Sequence, residues 1–190
     1  MKTKLLMLTL AMSCAFAGNA MAMTKAEYKA QKDTISGDYK VAKNKCGSLK
    51  ANAKDICKSE AKGVEKIAKA EAEAAYKPTA SNTEKVGMAK ANAMYDTAKE
   101  KCDDLSGNAK DVCVKDAKVA YTKAKDDAKI AKVSMDTSKS KSDKMADVKK
   151  DAVTDEKQAM YKAANERCDA LAGAPKDACQ ADAKAKFGMK

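Results

Sequence analysis

Apolar residues recur along most of this chain at steps of three and four. In one stretch Met88, Ala91, Tyr95, Ala98, Cys102 and Leu105 keep that rhythm. In an earlier one Tyr28, Ile35, Tyr39, Ala42, Cys46 and Leu49 do the same, with Lys32 interrupting. Residues so spaced share one helix face. The intervening positions are mostly Ala, Lys, Glu and Asp, with two prolines and eight glycines in all. These choices favour helix. A third stretch is less regular: Thr154 and Lys157 stand where apolar residues are expected, with Val153 and Met160 beside them. The pattern predicts six helices, over 24–49, 53–76, 83–105, 109–133, 144–171 and 175–186.

The helices pair through a motif that occurs three times. It reads Tyr39, Ala42, Cys46, Leu49, Lys54-Asp55 and Cys57, then Tyr95, Ala98, Cys102, Leu105, Lys110-Asp111 and Cys113, then Tyr161, Ala164, Cys168, Leu171, Lys176-Asp177 and Cys179. Ten residues separate the two cysteines in each copy. Between them lies a helix stop, a tight turn and a helix start. Ala51, Gly107 and Gly173 hold the place where a left-handed residue closes a helix. Asn52, Asn108 and Ala174 follow, and asparagine there reads as an N-cap. Then come Ala53, Ala109 and Pro175, proline being well suited to a first helical turn. Asp55, Asp111 and Asp177 complement the helix dipole. Each motif is thus a helical hairpin with one cysteine on each arm.

The expected organisation is a signal peptide over 1–22, hairpins over 23–77, 83–133 and 144–190, and a polar linker over 134–143. The first two copies lie 56 residues apart and the last two 66, an excess that falls near the linker. Lys2 and Lys4 open the leader, a short apolar run follows, and Ala20-Met21-Ala22 is a small-residue cleavage site. A competing lipid-attachment site at Ser13-Cys14 is poorly served by Met12. The apolar run is shorter than the roughly 20 residues a membrane span needs, and no second such run follows. The expected location is periplasmic or secreted, with a lipoprotein anchored at Cys14 as the lesser alternative.

Cleavage after Ala22 leaves six of the seven cysteines, Cys46, Cys57, Cys102, Cys113, Cys168 and Cys179. An even set in an exported chain reads as a disulfide framework. Six cysteines allow 15 pairings. A unit copied with both of its cysteines most simply pairs them internally. Such staples are needed, because the 45% hydrophobic fraction is largely alanine, aromatics are 4% and tryptophan is absent. The predicted fold is all-α: three disulfide-stapled antiparallel hairpins in tandem, elongated or loosely stacked, with thin helix-on-helix packing instead of a broad core.

Charge and chemistry narrow the function classes. The formal charge is +11, and without Lys2 and Lys4 the chain keeps 36 basic and 27 acidic residues. That balance favours anionic surroundings, while the interspersed signs also suit solvated helix faces. Histidine is absent, which removes the commonest general base and the mixed zinc sites. Cysteines ten residues apart match neither the close pairs of thiolate zinc sites nor C-x-x-C. Met23, Met88, Met94, Met135, Met145, Met160 and Met189 are too scattered for copper(I) and read as gap-fillers. The tyrosines at 39, 95 and 161 are expected to pack against the partner arm. Lys54, Lys110 and Lys176, near helix N-termini, are the candidate anion contacts. No catalytic constellation, metal site or cofactor is expected, and there is no specific nucleic-acid signal.

The leader, the Ala/Lys/Asp-rich helices and the stretch Cys102-Asp-Asp-Leu-Ser-Gly-Asn-Ala-Lys-Asp-Val-Cys113 resemble small secreted proteins of beta-proteobacteria. That group is labelled TolA-like or cell-envelope-biogenesis-like. True TolA has an inner-membrane anchor and a globular C-terminal domain, neither of which this sequence displays. The resemblance implies an envelope protein and carries over no residue role. The leading expectation is a non-enzymatic periplasmic scaffold or interaction protein whose partners are anionic envelope components or periplasmic proteins. Two other classes stay open: a redox-sensitive stress or chaperone-like binder, and a secreted hairpin effector acting on membranes or proteases.

Overall fold

A computed structural model of the chain describes residues 23–189, so the leader and Cys14 lie outside the described residues. Six α-helices follow one another: α1 (Lys25–Lys45), α2 (Ala51–Tyr76), α3 (Ala80–Cys102), α4 (Gly107–Ser134), α5 (Lys141–Cys168) and α6 (Ala174–Phe187), with a short 3-10 turn at Cys46–Ser48. There is no strand among the described residues. Thr24 opens α1 with a capping box: its hydroxyl accepts from the Glu27 N–H while Glu27 reaches back to the Thr24 N–H.

The three disulfides form within the copies, Cys46–Cys57, Cys102–Cys113 and Cys168–Cys179, with Cα–Cα distances of 5.6, 5.7 and 5.7 Å. Each links the end of one arm to the first turns of the next. Ala51, Gly107 and Gly173 take positive φ of 46°, 55° and 59° at the bends. A glycine costs little there, whereas alanine at 51 carries a steric penalty.

Among the described residues every helix packs only on its chain neighbours, and the contact between hairpins (α2 on α3, α4 on α5) is as extensive as that within them. The result is a single-layer antiparallel row with all three stapled bends at one end. Hairpins that pack this closely are stacked side by side, not strung loosely. The core is correspondingly thin. Its buried members are Ile35, three cysteines and nine alanines, including Ala72, Ala91 and Ala163 at 2% exposure or less. Small side chains let backbones approach. A Cβ on Gly63 would sit 2.8 Å from the Ala93 Cβ, and one on Gly87 would sit 2.5 Å from the Ala128 Cβ.

Several expectations need correction. Leu49, Leu105 and Leu171 are 40%, 46% and 44% exposed. The regular α-helix already ends at or just before the first cysteine, so the leucine three residues on lies in the bend, off the helical stripe. Met94, Met135 and Met160 are also exposed and fill no gap. Asn52 and Asn108 are not N-caps; Lys50 and Ser106 hold those places and make no side-chain cap bond. The polar run 134–143 is only partly a linker, because α5 starts at Lys141. Asp136 holds the shortened loop by accepting from the Ser138 N–H and from Lys144 Nζ. Those bonds keep its carboxyl far below the usual carboxylate range, the lysine first.

The two asparagines do something the repeat alone does not disclose. Asn52 Nδ2 donates to the Glu100 carbonyl at 2.6 Å, and Asn108 Nδ2 donates to the Glu166 carbonyl at 2.8 Å. Each amide therefore ties its own hairpin to the following one, at equivalent places. The junctions also share an ion pair, Glu60–Lys101 in the first and Asp116–Arg167 in the second. Replacing Asn108 by alanine is expected to cost about 1 kcal/mol, a typical net hydrogen-bond contribution. Because the loss falls at one junction, hydrogen-exchange protection should drop more in α5 and α6 than in α1 and α2. An even drop along the row would contradict the assignment.

Candidate functional site

The row has two broad faces, and one of them carries a repeated arrangement of lysine around tyrosine. Tyr39 leaves α1 towards α2. Lys43, one turn on, places Nζ 6.0 Å from its ring centroid, and Lys62 of α2 places Nζ at 5.0 Å. In the second hairpin Tyr95 is approached by Lys99 at 4.8 Å and by Lys118 of α4 at 5.2 Å. Lys118 is also 4.3 Å from the ring of Tyr121, which packs on Tyr95 with centroids 5.0 Å apart. The two sets occupy identical places in the repeat. Each ring is half-buried between the arms, as expected for packing tyrosines, and attracts cations from both arms through its quadrupole.

These two sets lie side by side. A cleft of about 410 Å³ runs across α2 and is lined by Tyr39 and by Lys43, Lys58, Lys62, Lys66 and Lys99, with Asp55, Asp96 and Glu100 opposing them. Several of its lysines make exposed ion pairs, Lys58–Asp55 at 3.3 Å and Lys66–Asp96 at 3.5 Å among them. Exposed pairs of this kind are weak and exchange readily with other anions. Beside the cleft the buried Glu65 accepts from Lys69 and from Lys62 at 2.6 and 2.9 Å. The Lys69 bond is the main reason its carboxyl titrates below the ordinary range. Lys62 is raised by its hydrogen bond to Glu65. The opposite face of α2 and α3 is different: Val64, Ile67, Ala93, Met94 and Ala98 line a shallow apolar groove.

The third hairpin departs from the pattern. Tyr161 and Lys184 stand at the equivalent places, but Asn165 replaces the lysine on the first arm. The lysine-and-tyrosine surface is therefore a feature of α1 to α4.

The lysines singled out from the sequence lie elsewhere, at the stapled bends. Lys110 Nζ is 2.9 Å from Asp103 and Lys176 Nζ is 2.8 Å from Asp169. The Asp169 bond raises Lys176 above the ordinary lysine range. Lys54 has no such partner among the described residues, since Gly47 occupies the place of those aspartates. The lysine–tyrosine sets were missed in the sequence because each lysine looks like any solvated charge. Their one signal is recurrence: Lys43 and Lys99, and Lys62, Lys118 and Lys184, keep the repeat spacing.

Among the described residues, no group of three or more His, Cys, Asp or Glu side chains is placed to hold a metal ion, and no helix is long and apolar enough to cross a membrane. Comparison with protein-family models, curated proteins and solved structures gave no match.

Proposed function

We propose that this protein is a non-enzymatic scaffold or interaction protein of the cell envelope, and that it engages anionic envelope components through the lysine-and-tyrosine face of α1 to α4. The observation that supports this most directly is the repetition of Tyr39, Lys43 and Lys62 as Tyr95, Lys99 and Lys118 on that face. The rings hold these lysines on the surface by cation–π attraction, where their exposed ammonium groups can meet phosphate or carboxylate groups of a partner. The three disulfides suit an oxidising compartment such as the periplasm or the exterior. That setting agrees with the leader expected over 1–22 and with the resemblance to small envelope proteins.

Vesicles containing about a third anionic phospholipid, and soluble lipopolysaccharide, test this reading. Binding at low salt should weaken steeply as salt rises, because it is carried by screened charges. Replacing Lys43, Lys62, Lys99 and Lys118 together by glutamine should weaken it roughly a hundredfold or more, given about 1 kcal/mol per lysine at an anionic surface. Unchanged binding in that variant, or none at low salt, would refute the assignment.

A further inference from the structure

The two internal junctions define how this chain holds one hairpin against another. The second arm of the leading hairpin contributes an acid, Glu60 or Asp116, and the first arm of the next contributes a base, Lys101 or Arg167. The second arm also supplies the asparagine amide, and the first arm the carbonyl that receives it. Buried alanines complete the contact, Ala93 in the first junction, Ala159 and Ala163 in the second.

Among the described residues, each end of the row presents half of the same junction. On the outer edge of α1 the equivalent places are Gly37, Val41, the Asn44 carbonyl and Lys45. Val41 is 56% exposed, whereas Ala163, its counterpart in the third copy, is 2% exposed. A Cβ on Gly37 would meet nothing within 4 Å. On the outer edge of α6 the equivalent places are Ala174, Ala181, Asp182 and Ala185, all exposed. Neither Lys45 nor Asp182 has an ion-pair partner among the described residues, although both keep the sign of charge that pairs in the internal junctions.

We infer that a second copy of this chain docks head to tail, the outer edge of α6 in one copy against the outer edge of α1 in the next. In the register of the internal junctions Asp182 meets Lys45, Ala181 meets Val41 and Ala185 meets Gly37. The contact is small. α6 has 14 residues, about 21 Å of helix, and Ala174 lacks the amide that Asn52 and Asn108 supply. A single short helix edge falls below the roughly 1,200 Å² of a standard stable interface, so the association is weak and reversible. Because the two surfaces differ, the contact is heterologous, and a row that continues in the same direction leaves both ends open as each copy is added.

Sedimentation equilibrium of the full chain with intact disulfides, at low salt and up to about 1 mM, reads this out. The average mass should rise beyond the dimer, with a dissociation constant on the order of 0.1–1 mM for so small a contact. Lys45→Glu and Asp182→Lys should each weaken association at least fivefold, and the double charge reversal should restore it. Ala174→Asn should tighten it about fivefold by returning the missing donor. A mass that stays monomeric in both the parent and Ala174→Asn, a limit at the dimer, or a double reversal that fails to restore association would each overturn the inference. None of these residues belongs to the lysine-and-tyrosine face, so the outcome is independent of anion binding.

Discussion

Full reduction of the three disulfides is expected to abolish the ordered row at about 37 °C, with most of the far-ultraviolet helix signal lost. Each bridge spans a sequence separation of 11 residues, and closing such a loop is worth about 3 kcal/mol in the chain-entropy account. Three together approach the whole 5–15 kcal/mol by which folded domains exceed their unfolded chains. Little else compensates, because apart from Ile35 and the cysteines the buried apolar set is alanine, and alanine removes little apolar area from water at about 25 cal/mol per Å². The bridges are not equivalent. Among the described residues α6 touches only α5, so converting Cys168 and Cys179 to alanine should free α6 while the other helices hold. Converting Cys102 and Cys113 should lower the melting temperature of the entire row, since α3 and α4 form its middle. Circular dichroism and hydrogen exchange distinguish the two. A reduced protein with its native melt would show that non-covalent packing suffices.

Gly87→Val should be the most damaging single substitution away from the cysteines, at about 3 kcal/mol or more. A Cβ at this position lies 2.5 Å from the Ala128 Cβ and 3.1 Å from its Cα. Ala128 is 4% exposed and belongs to the neighbouring helix α4, so relief requires α3 and α4 to move apart. Overpacking of this kind typically costs 1–3 kcal/mol, and a β-branched side chain leaves no rotamer that avoids the partner. Gly37→Ala provides the contrast. It lies in α1 with open space around the Cβ position, and alanine in a helix interior should stabilise by about 1 kcal/mol. Chemical denaturation of the two variants should therefore give shifts of opposite sign. A Gly87→Val variant as stable as the parent would mean that the α3–α4 approach is looser than the distances indicate.

Much of the fold was legible because its signals are local. Helical rhythm, the cysteine spacing and the small residue at each bend all lie within one copy, and they specify the hairpins and their staples. The junctions were not legible, because they depend on which residues meet across copies. Asn52 looked like a cap since it follows a bend, and only its reach to the Glu100 carbonyl reveals the other role. The third copy holds a clue in retrospect: Ala174 replaces asparagine in the hairpin that has no following hairpin among the described residues. The ten-residue excess looks like linker in the sequence, yet it divides into two residues in α4, three in the loop and five in α5. A polar stretch is not thereby a loop when lysines and aspartates can pair across the turn, as Lys144 and Asp136 do. Asp126 is wholly hidden from the sequence. It is 1% exposed, bonded through Oδ1 to Lys129 at 2.8 Å, while Oδ2 finds no partner among the described residues. Nothing in an Asp-Asp-Ala triplet marks one aspartate as buried.

The recurrence of one amide-to-carbonyl bond and one ion pair at both junctions makes the hairpin a unit of measurement. Helices in contact lie about 8–10 Å apart, so each copy advances the row by a little under 20 Å. A gene that gains or loses a copy would change the span in fixed increments and leave every remaining seam intact, a ruler graduated in pairs of helices.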